Sequence, residues 1–366
     1  MLFFVTDGMT LHSAFNFSYG NSHVPLPTQK LAQYRSNLQN LEMVIIDEIS
    51  MINSDFLYKI HRRLCEIFQS DDVFANKSII LVGDLLQLPP VQNGSKLIFE
   101  PPENSQFNAY HQAHELWQQF EVYNLEHNHR QGEGNSWANV LNEIREGTVT
   151  KDTEELLKTR FIKPEEHDEL TTCHCFFRNV DVSEHNTKML NSLSNDHDLV
   201  ELPAIETLPK GFISPVMPHG TIGLRGNDTG FMKILYLRKQ ARVMMISNIN
   251  TPDELVNGAM GTVADFIAND KGVVECLIVI FDSESCGEDQ RNRYSEISAK
   301  YKDVNGTPIF RKEQEYDTGR RRKGHTCKAK LYQFPFRLAW AVTAHKMQVR
   351  FFLNEYYNIY FNTFLF

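Results

Sequence analysis

Val44-Ile45-Ile46-Asp47-Glu48-Ile49-Ser50-Met51 is an apolar run that ends in two acids, and Ile79-Ile80-Leu81-Val82-Gly83-Asp84-Leu85-Leu86-Gln87-Leu88-Pro89-Pro90 is a second that ends in Gly-Asp. A buried parallel strand delivers side chains to the carboxyl edge of its sheet in this way. Between the runs, Phe56, Leu57, Ile60, Leu64, Ile67 and Phe68 recur at three- and four-residue steps. That period predicts a helix over 54–69 with Ser54 as its cap. Strand, helix, strand is a βαβ unit, so the fold class is α/β, with a parallel sheet and helices on its faces.

An Asp at the end of the first strand suits a magnesium ion, usually held through water, and the adjacent Glu suits orienting or deprotonating an attacking water. The bland alternative is that Asp47-Glu48 caps the next helix, where acids are favourable. The second strand, ending Gly83-Asp84-x-x-Gln87-Leu88-Pro89-Pro90, favours the functional reading. Gln87 is neutral and both donates and accepts hydrogen bonds, which suits reporting a terminal phosphate. Its alternative is a solvent-facing loop amide. Pro89-Pro90 stiffens the segment and ends it as a regular helix or central strand.

Outward from this unit, residues 1–20 read as a strand end, a turn at Asp7-Gly8 and a short segment over 9–15. Residues 21–40, with Pro25 and Pro27, read as a connector or small insertion. Residues 112–120 and 135–146 look helical, and 150–170 is a charged connector. A second strand-and-helix pattern runs from Thr172 to Leu190. From 234 onward, short strands at 240–245, 261–267 and 273–281, broken by Gly and Asn, suggest a small β-barrel. Residues 338–348 return to a core-like run with a polar end. Arg130 is either a cation set against developing phosphoryl charge or a surface residue. Thr343, His345 and Lys346 suit phosphate contacts on single-stranded nucleic acid, or else begin a polar helix. Thr10 and His12 admit the same two readings.

The chain has 366 residues, 42% hydrophobic and 23% charged, as expected of two or three globular domains. A net charge of −9 argues against nucleic-acid binding by bulk charge, so such binding needs a local basic surface. One candidate is 311–330, centred on Arg320-Arg321-Arg322-Lys323; the alternative is a solvated loop. Six cysteines do not make a disulfide framework, and the thiols suit a reducing, intracellular compartment. Cys173-His174-Cys175 lacks two further ligands at zinc spacing. The start MLFFVTDG has no basic flank, so no signal peptide is expected. With no apolar run of about 18 residues, no membrane partner is expected either.

Six segments together resemble the Pif family of 5′-to-3′ DNA helicases, in superfamily one, group B, relatives of the RecD-like helicases. They are GMTLHSAF (8–15), VIIDEISM (44–51), LVGDLLQLPPV (81–91), LEHNHRQ (125–131), ARVMMISNIN with LVNGAMGTV (241–263), and QFPFRLAWAVTAHKMQ (333–348). The resemblance implies two RecA-like P-loop NTPase lobes, with an SH3-like insertion in the second. The first lobe is expected over 1–150, the start of the second over 151–235, the insertion over 236–333 and the return over 334–348. ATP and Mg2+ are the implied cofactors, with Asp47 on the metal, Glu48 as its Walker B partner, Gln87 as phosphate sensor and Arg130 as an arginine finger. Gly83 and Asp84 fall in the same nucleotide-contacting segment. Thr10, His12, Thr343, His345, Lys346 and Gln348 are implied DNA contacts. The implied partners are single-stranded DNA and duplex junctions. The implied settings are repair, recombination and telomere maintenance, in the nucleus or mitochondrion of a eukaryote.

The chain departs from the family at two places. The family's phosphate loop would lie before residue 1, and after Gln348 the family continues toward a second arginine motif. Here Val349 opens an aromatic tail, 349–366, with eight Phe and Tyr residues and neither strand alternation nor a helical stripe. An internal piece of a helicase is therefore expected, inactive by itself, with a tail that comes from misread coding sequence and shares no core. The alternative is a non-catalytic remnant that binds DNA or a protein partner.

Overall fold

A computed structural model describes residues 10–17, 23–90, 96–102, 108–127, 129, 136–160, 170, 172–193, 198–217, 220–223, 229–322, 325–347 and 359–361. The chain divides into two compact units, Met1–Phe161 and Ile162–Phe366.

The first unit is built on β1 (Met43–Ile46) and β2 (Ser78–Leu81), which pair in parallel with Met43 opposite Ser78 and Ile46 opposite Leu81. Two short helices, α1 (Leu11–Ala14) and α2 (Thr28–Asn37), precede them, and α3 (Ser54–Phe68) makes the crossover. Leu57, Ile60, Leu64 and Ile67 face inward against Val44, Ile46 and Phe74. Each fully buried side chain of this kind contributes roughly 1.5–3 kcal/mol. The helix cap differs from the sequence reading. Asn53 accepts from Phe56 N at 2.9 Å, whereas the Ser54 hydroxyl donates to Lys96 O and Leu97 O, each at 3.1 Å. A loop from farther along the chain claims Ser54, which leaves the cap to its neighbour.

The expected connector over 21–40 contains α2, which has no buried residue and so shows no apolar stripe in sequence. Arg35, near its end, donates to Ile67 O (2.9 Å) and Glu66 O (3.1 Å), pinning the insertion to α3. Helices α4 (Asn108–Trp117), α5 (Ser136–Glu146) and α6 (Lys151–Lys158) complete the unit's described helices.

In the second unit, β3 (Cys173–Phe176) leads into α7 (Asn179–Ser192). Two short pieces, β4 (Val200–Pro203) and β5 (Ile205–Thr207), come next, followed by β6 (Ile234–Leu237), β7 (Arg242–Met245), β8 (Met260–Ala268) and β9 (Val274–Phe281). Helices α8 (Glu288–Arg293) and α9 (Ser295–Ser298) lead to β10 (Thr307–Phe310) and to the long ribbon β11 (Lys312–Arg322) and β12 (His325–Gln333). The chain returns through β13 (Phe336–Leu338), β14 (Ala341–Thr343) and α10 (Ala344–Met347). A five-stranded antiparallel sheet runs β10-β9-β8-β7-β13 around Val243, Met245, Val263, Leu277, Val279 and Trp340.

A separate parallel sheet runs β14-β3-β15, where β15 is Ile359–Phe361. This corrects one expectation. Three residues of the aromatic tail add a strand to β3, with Ile359 opposite Cys173 and Phe361 opposite Cys175. Backbone hydrogen bonding needs no side-chain alternation, which is why the sequence pattern did not show it. The rest of the tail lies outside the described residues.

Candidate active site and nucleic-acid interface

At the carboxyl edge of β1 and β2 the chain turns sharply. Glu48 has φ 56° and ψ 49°, a left-handed conformation uncommon in any residue but glycine. That turn brings Ile49 N to within 3.1 Å of Val82 O, tying the end of one strand to the end of the other. Gly83 has φ 141°, and a Cβ there would stand 2.8 Å from Ile49 N and 3.4 Å from the Glu48 Cα. Only glycine lets the two backbones approach this closely. Asp47, Glu48, Gly83 and Asp84 are thereby gathered at one edge.

The capping alternative for Asp47-Glu48 does not describe this geometry. Glu48 makes no side-chain capping bond to the short turn Ile49–Met51, and α3 is capped by Asn53. Asp47 Oδ1 instead accepts from Glu48 N at 2.8 Å, orienting a half-buried carboxylate at the strand end. Among the described residues, no three His, Cys, Asp or Glu side chains cluster as a metal cage. One strand-end carboxylate fits magnesium, which takes one or two protein carboxylates and completes its octahedron with phosphates and water.

Asp84 organises the next turn. Its Oδ1 accepts from Leu86 N at 3.0 Å, its Oδ2 accepts from Arg145 Nε at 2.6 Å, and Gln87 N donates to Asp84 O at 3.1 Å. Burial pushes the Asp84 carboxyl up, but Arg145, the Leu86 N–H and the Gln87 side chain outweigh it and hold the carboxyl below its usual range. Gln87 is exposed, and its amide is oriented by Asp84. Sequence reasoning missed Arg145, a single cation on the amphipathic helix α5 with no local mark of a partner 61 residues away.

Of the proposed DNA contacts in this unit, Thr10 is exposed at the start of α1. His12 is half-buried, stacked on Phe56 at 4.9 Å and edge-on to Phe17 at 6.4 Å. Burial, and after it the Lys59 ammonium, lowers its pKa. Lys59 is itself buried, 6.0 Å from the Phe56 ring, and was not singled out in the sequence. Arg130 lies outside the described residues.

In the second unit, Thr343 ends β14 and is buried, while His345 and Lys346 follow on α10, partly exposed. Gln348 lies outside the described residues. The support for β14 is a buried amide that sequence reasoning also missed. Asn186 on α7 donates to Ala341 O at 3.0 Å and accepts from Ala341 N at 2.8 Å, as a neighbouring strand would. Its only signal is a polar residue beside Met189 and Leu190 on the buried face of its helix.

Residues 3–155 match the model of the PIF1-like helicase family, which spans the strand-edge site just described. Residues 3–155 are thus similar to the PIF1-like helicases. It is 28% identical over 349 residues to the ATP-dependent DNA helicase PIF1 of Danio rerio, covering 93% of this chain and 46% of that protein. It is 28% identical over 273 residues to the ATP-dependent DNA helicase RRM3 of Saccharomyces cerevisiae, covering 71% of this chain and 34% of that one. The chain thus spans between a third and a half of these two relatives. A Bacteroides Pif1 helicase solved with ADP-AlF3 and single-stranded DNA superposes with a TM-score of 0.55 at 24% identity, over 93% of this chain and 70% of that one. This likeness shows that the chain shares the fold of that helicase.

Proposed function

We propose that this chain is the motor portion of an ATP-dependent DNA helicase that moves 5′-to-3′ on single-stranded DNA and opens duplex junctions during repair, recombination and telomere maintenance. The observation that carries the reading is the left-handed Glu48 beside Gly83. Strained backbone in a non-glycine residue persists where the surroundings hold it, and it concentrates at functional sites. The relatives' names and the ADP-AlF3 complex of the Bacteroides enzyme support ATP as the nucleotide.

When bound, magnesium would neutralise phosphate charge, and Asp47 would hold it through water. Glu48 would orient or deprotonate the attacking water, Gln87 would report the terminal phosphate through its bond to Asp84, and Arg130 would face the developing charge. The antiparallel sheet within 236–333 would be the SH3-like insertion of the second RecA-like lobe. Thr10, His12, Thr343, His345, Lys346 and Gln348 would meet single-stranded DNA. Six free thiols suit a reducing compartment, the nucleus or mitochondrion in a eukaryote.

Residues 1–366 hold no Gly-x-x-x-x-Gly-Lys-Ser/Thr run, so hydrolysis by these residues alone is expected to be weak. The test therefore uses a completed protein, with a relative's phosphate loop joined before Met1 and a relative's distal segment joined after Gln348. Unwinding is measured on forks with only a 5′ or only a 3′ single-stranded tail. Opening of the 5′-tailed fork alone, lost in Glu48→Gln, is expected; opening of the 3′-tailed fork would overturn the assigned direction.

A further inference from the structure

Two buried serines follow the strand edge of β1, and their hydroxyls differ. Ser54 donates to Lys96 O and Leu97 O, each at 3.1 Å. Ser50 is 6% exposed, and among the described residues its Oγ has no hydrogen-bond partner. The backbone around it is paired. Ile49 N donates to Val82 O and Met51 N to Glu48 O, both at 3.1 Å, and Ile52 N donates to Ile49 O at 3.0 Å. Ile49 and Ile52 belong to the apolar core that holds Ile46 and Leu57. A hydroxyl buried in such surroundings without a partner opposes folding, and alanine would fill the place with no polar atom to bury.

Ser50 lies in the turn Ile49–Met51, which opens on the left-handed Glu48 and stands against Gly83. Within three residues the turn therefore carries two costs, a strained backbone and an unpaired hydroxyl. Neither helps the fold. Both lie beside the carboxylate that the proposed chemistry needs held still.

We propose that Ser50 is a positioning residue of the strand-edge site, whose hydroxyl donates to the Glu48 carboxylate as the site takes up nucleotide. This role rests on the ATP-hydrolysing reading above and adds to it the group that fixes Glu48. Glu48 is two residues back in the same turn, so a rotation of that turn brings the pair together and relaxes the backbone in one movement. A serine suits the task, because it donates a bond and brings no charge to a carboxylate that must orient or deprotonate water. The other carboxylate of the edge, Asp47, is already oriented, by Glu48 N at 2.8 Å. A bond formed at that stage shifts the hydroxyl's contribution from stability to turnover.

The signature is a split between stability and turnover in Ser50→Ala. In urea denaturation of residues 1–366, this variant should keep the folding equilibrium constant of the parent or raise it, by up to ~10-fold. In the completed protein, its DNA-stimulated phosphate release should fall about tenfold in kcat, because Glu48 loses its orientation. Retention of a fluorescent ATP analogue should stay within about twofold of the parent, which separates positioning from binding. A folding constant lowered several-fold would show that the hydroxyl already serves the fold, as it would through a bound water, and would overturn the role. Unchanged release by Ser50→Ala, with release abolished in Glu48→Gln, would overturn it as well and leave the helicase reading intact. A completed parent that releases no phosphate would overturn both.

Discussion

Arg145 Nε lies 2.6 Å from Asp84 Oδ2, so a helix 61 residues downstream holds the turn that carries Gln87. The pair is partly exposed, which limits its worth to stability to about 1 kcal/mol or less. Its worth to turnover is larger, because a displacement near 1 Å at a reacting group can cost up to ~100-fold. In the completed protein, Arg145→Ala should lower DNA-stimulated phosphate release about tenfold while the melting temperature moves by a few degrees at most. Arg145→Lys should fall between, since a lysine keeps the charge and loses the planar fork. Unchanged turnover in Arg145→Ala would mean that the turn holds its shape unaided.

Gly83→Ala should be destabilising. The new methyl would meet Ile49 N at 2.8 Å, and φ 141° is disfavoured for alanine. A loss of roughly 1–3 kcal/mol is expected from chemical denaturation of residues 1–366. A variant as stable as its parent would show that the two strand ends need not approach as closely as described.

Acid should weaken the first unit. His12, His23 and His61 all have pKa values below the ordinary 6.5, in each case first because of burial; Lys59, Arg63 and Arg62 respectively add to it. His61 Nδ1 also accepts from Phe74 N at 3.1 Å, a bond that needs that nitrogen unprotonated. The unfolded chain therefore takes up protons at a higher pH than the fold does. The stability these groups allow is present above pH 6.5 and declines as pH falls from there toward their lowered values. The urea midpoint, followed through Trp117, should drop between about pH 7.5 and 5.5, and less so in His61→Gln. A midpoint that rises on acidification would contradict the shifts.

Sequence reasoning found what local pattern encodes. The apolar runs of β1 and β2 and the period of α3 are properties of contiguous residues, and the βαβ unit followed from them. Asp47, Glu48, Gly83 and Asp84 were legible because strand ends deliver side chains to one edge. The features that escaped depend on partners distant in sequence. Arg145 needs Asp84, Asn186 needs Ala341, and Ser54 gives up its capping role to meet Lys96 and Leu97. Helix α2 escaped because it buries nothing, and β15 because its partner is the backbone of β3.

The proposed function places ATP hydrolysis at the edge formed by β1 and β2. The most direct measurement is phosphate release by the completed protein with single-stranded DNA and magnesium, alongside retention of a fluorescent ATP analogue. Glu48→Gln should keep the analogue bound and abolish release, and Arg130→Ala should lower release about 10³-fold. Release by Glu48→Gln within twofold of the parent would place the chemistry elsewhere than at this strand edge.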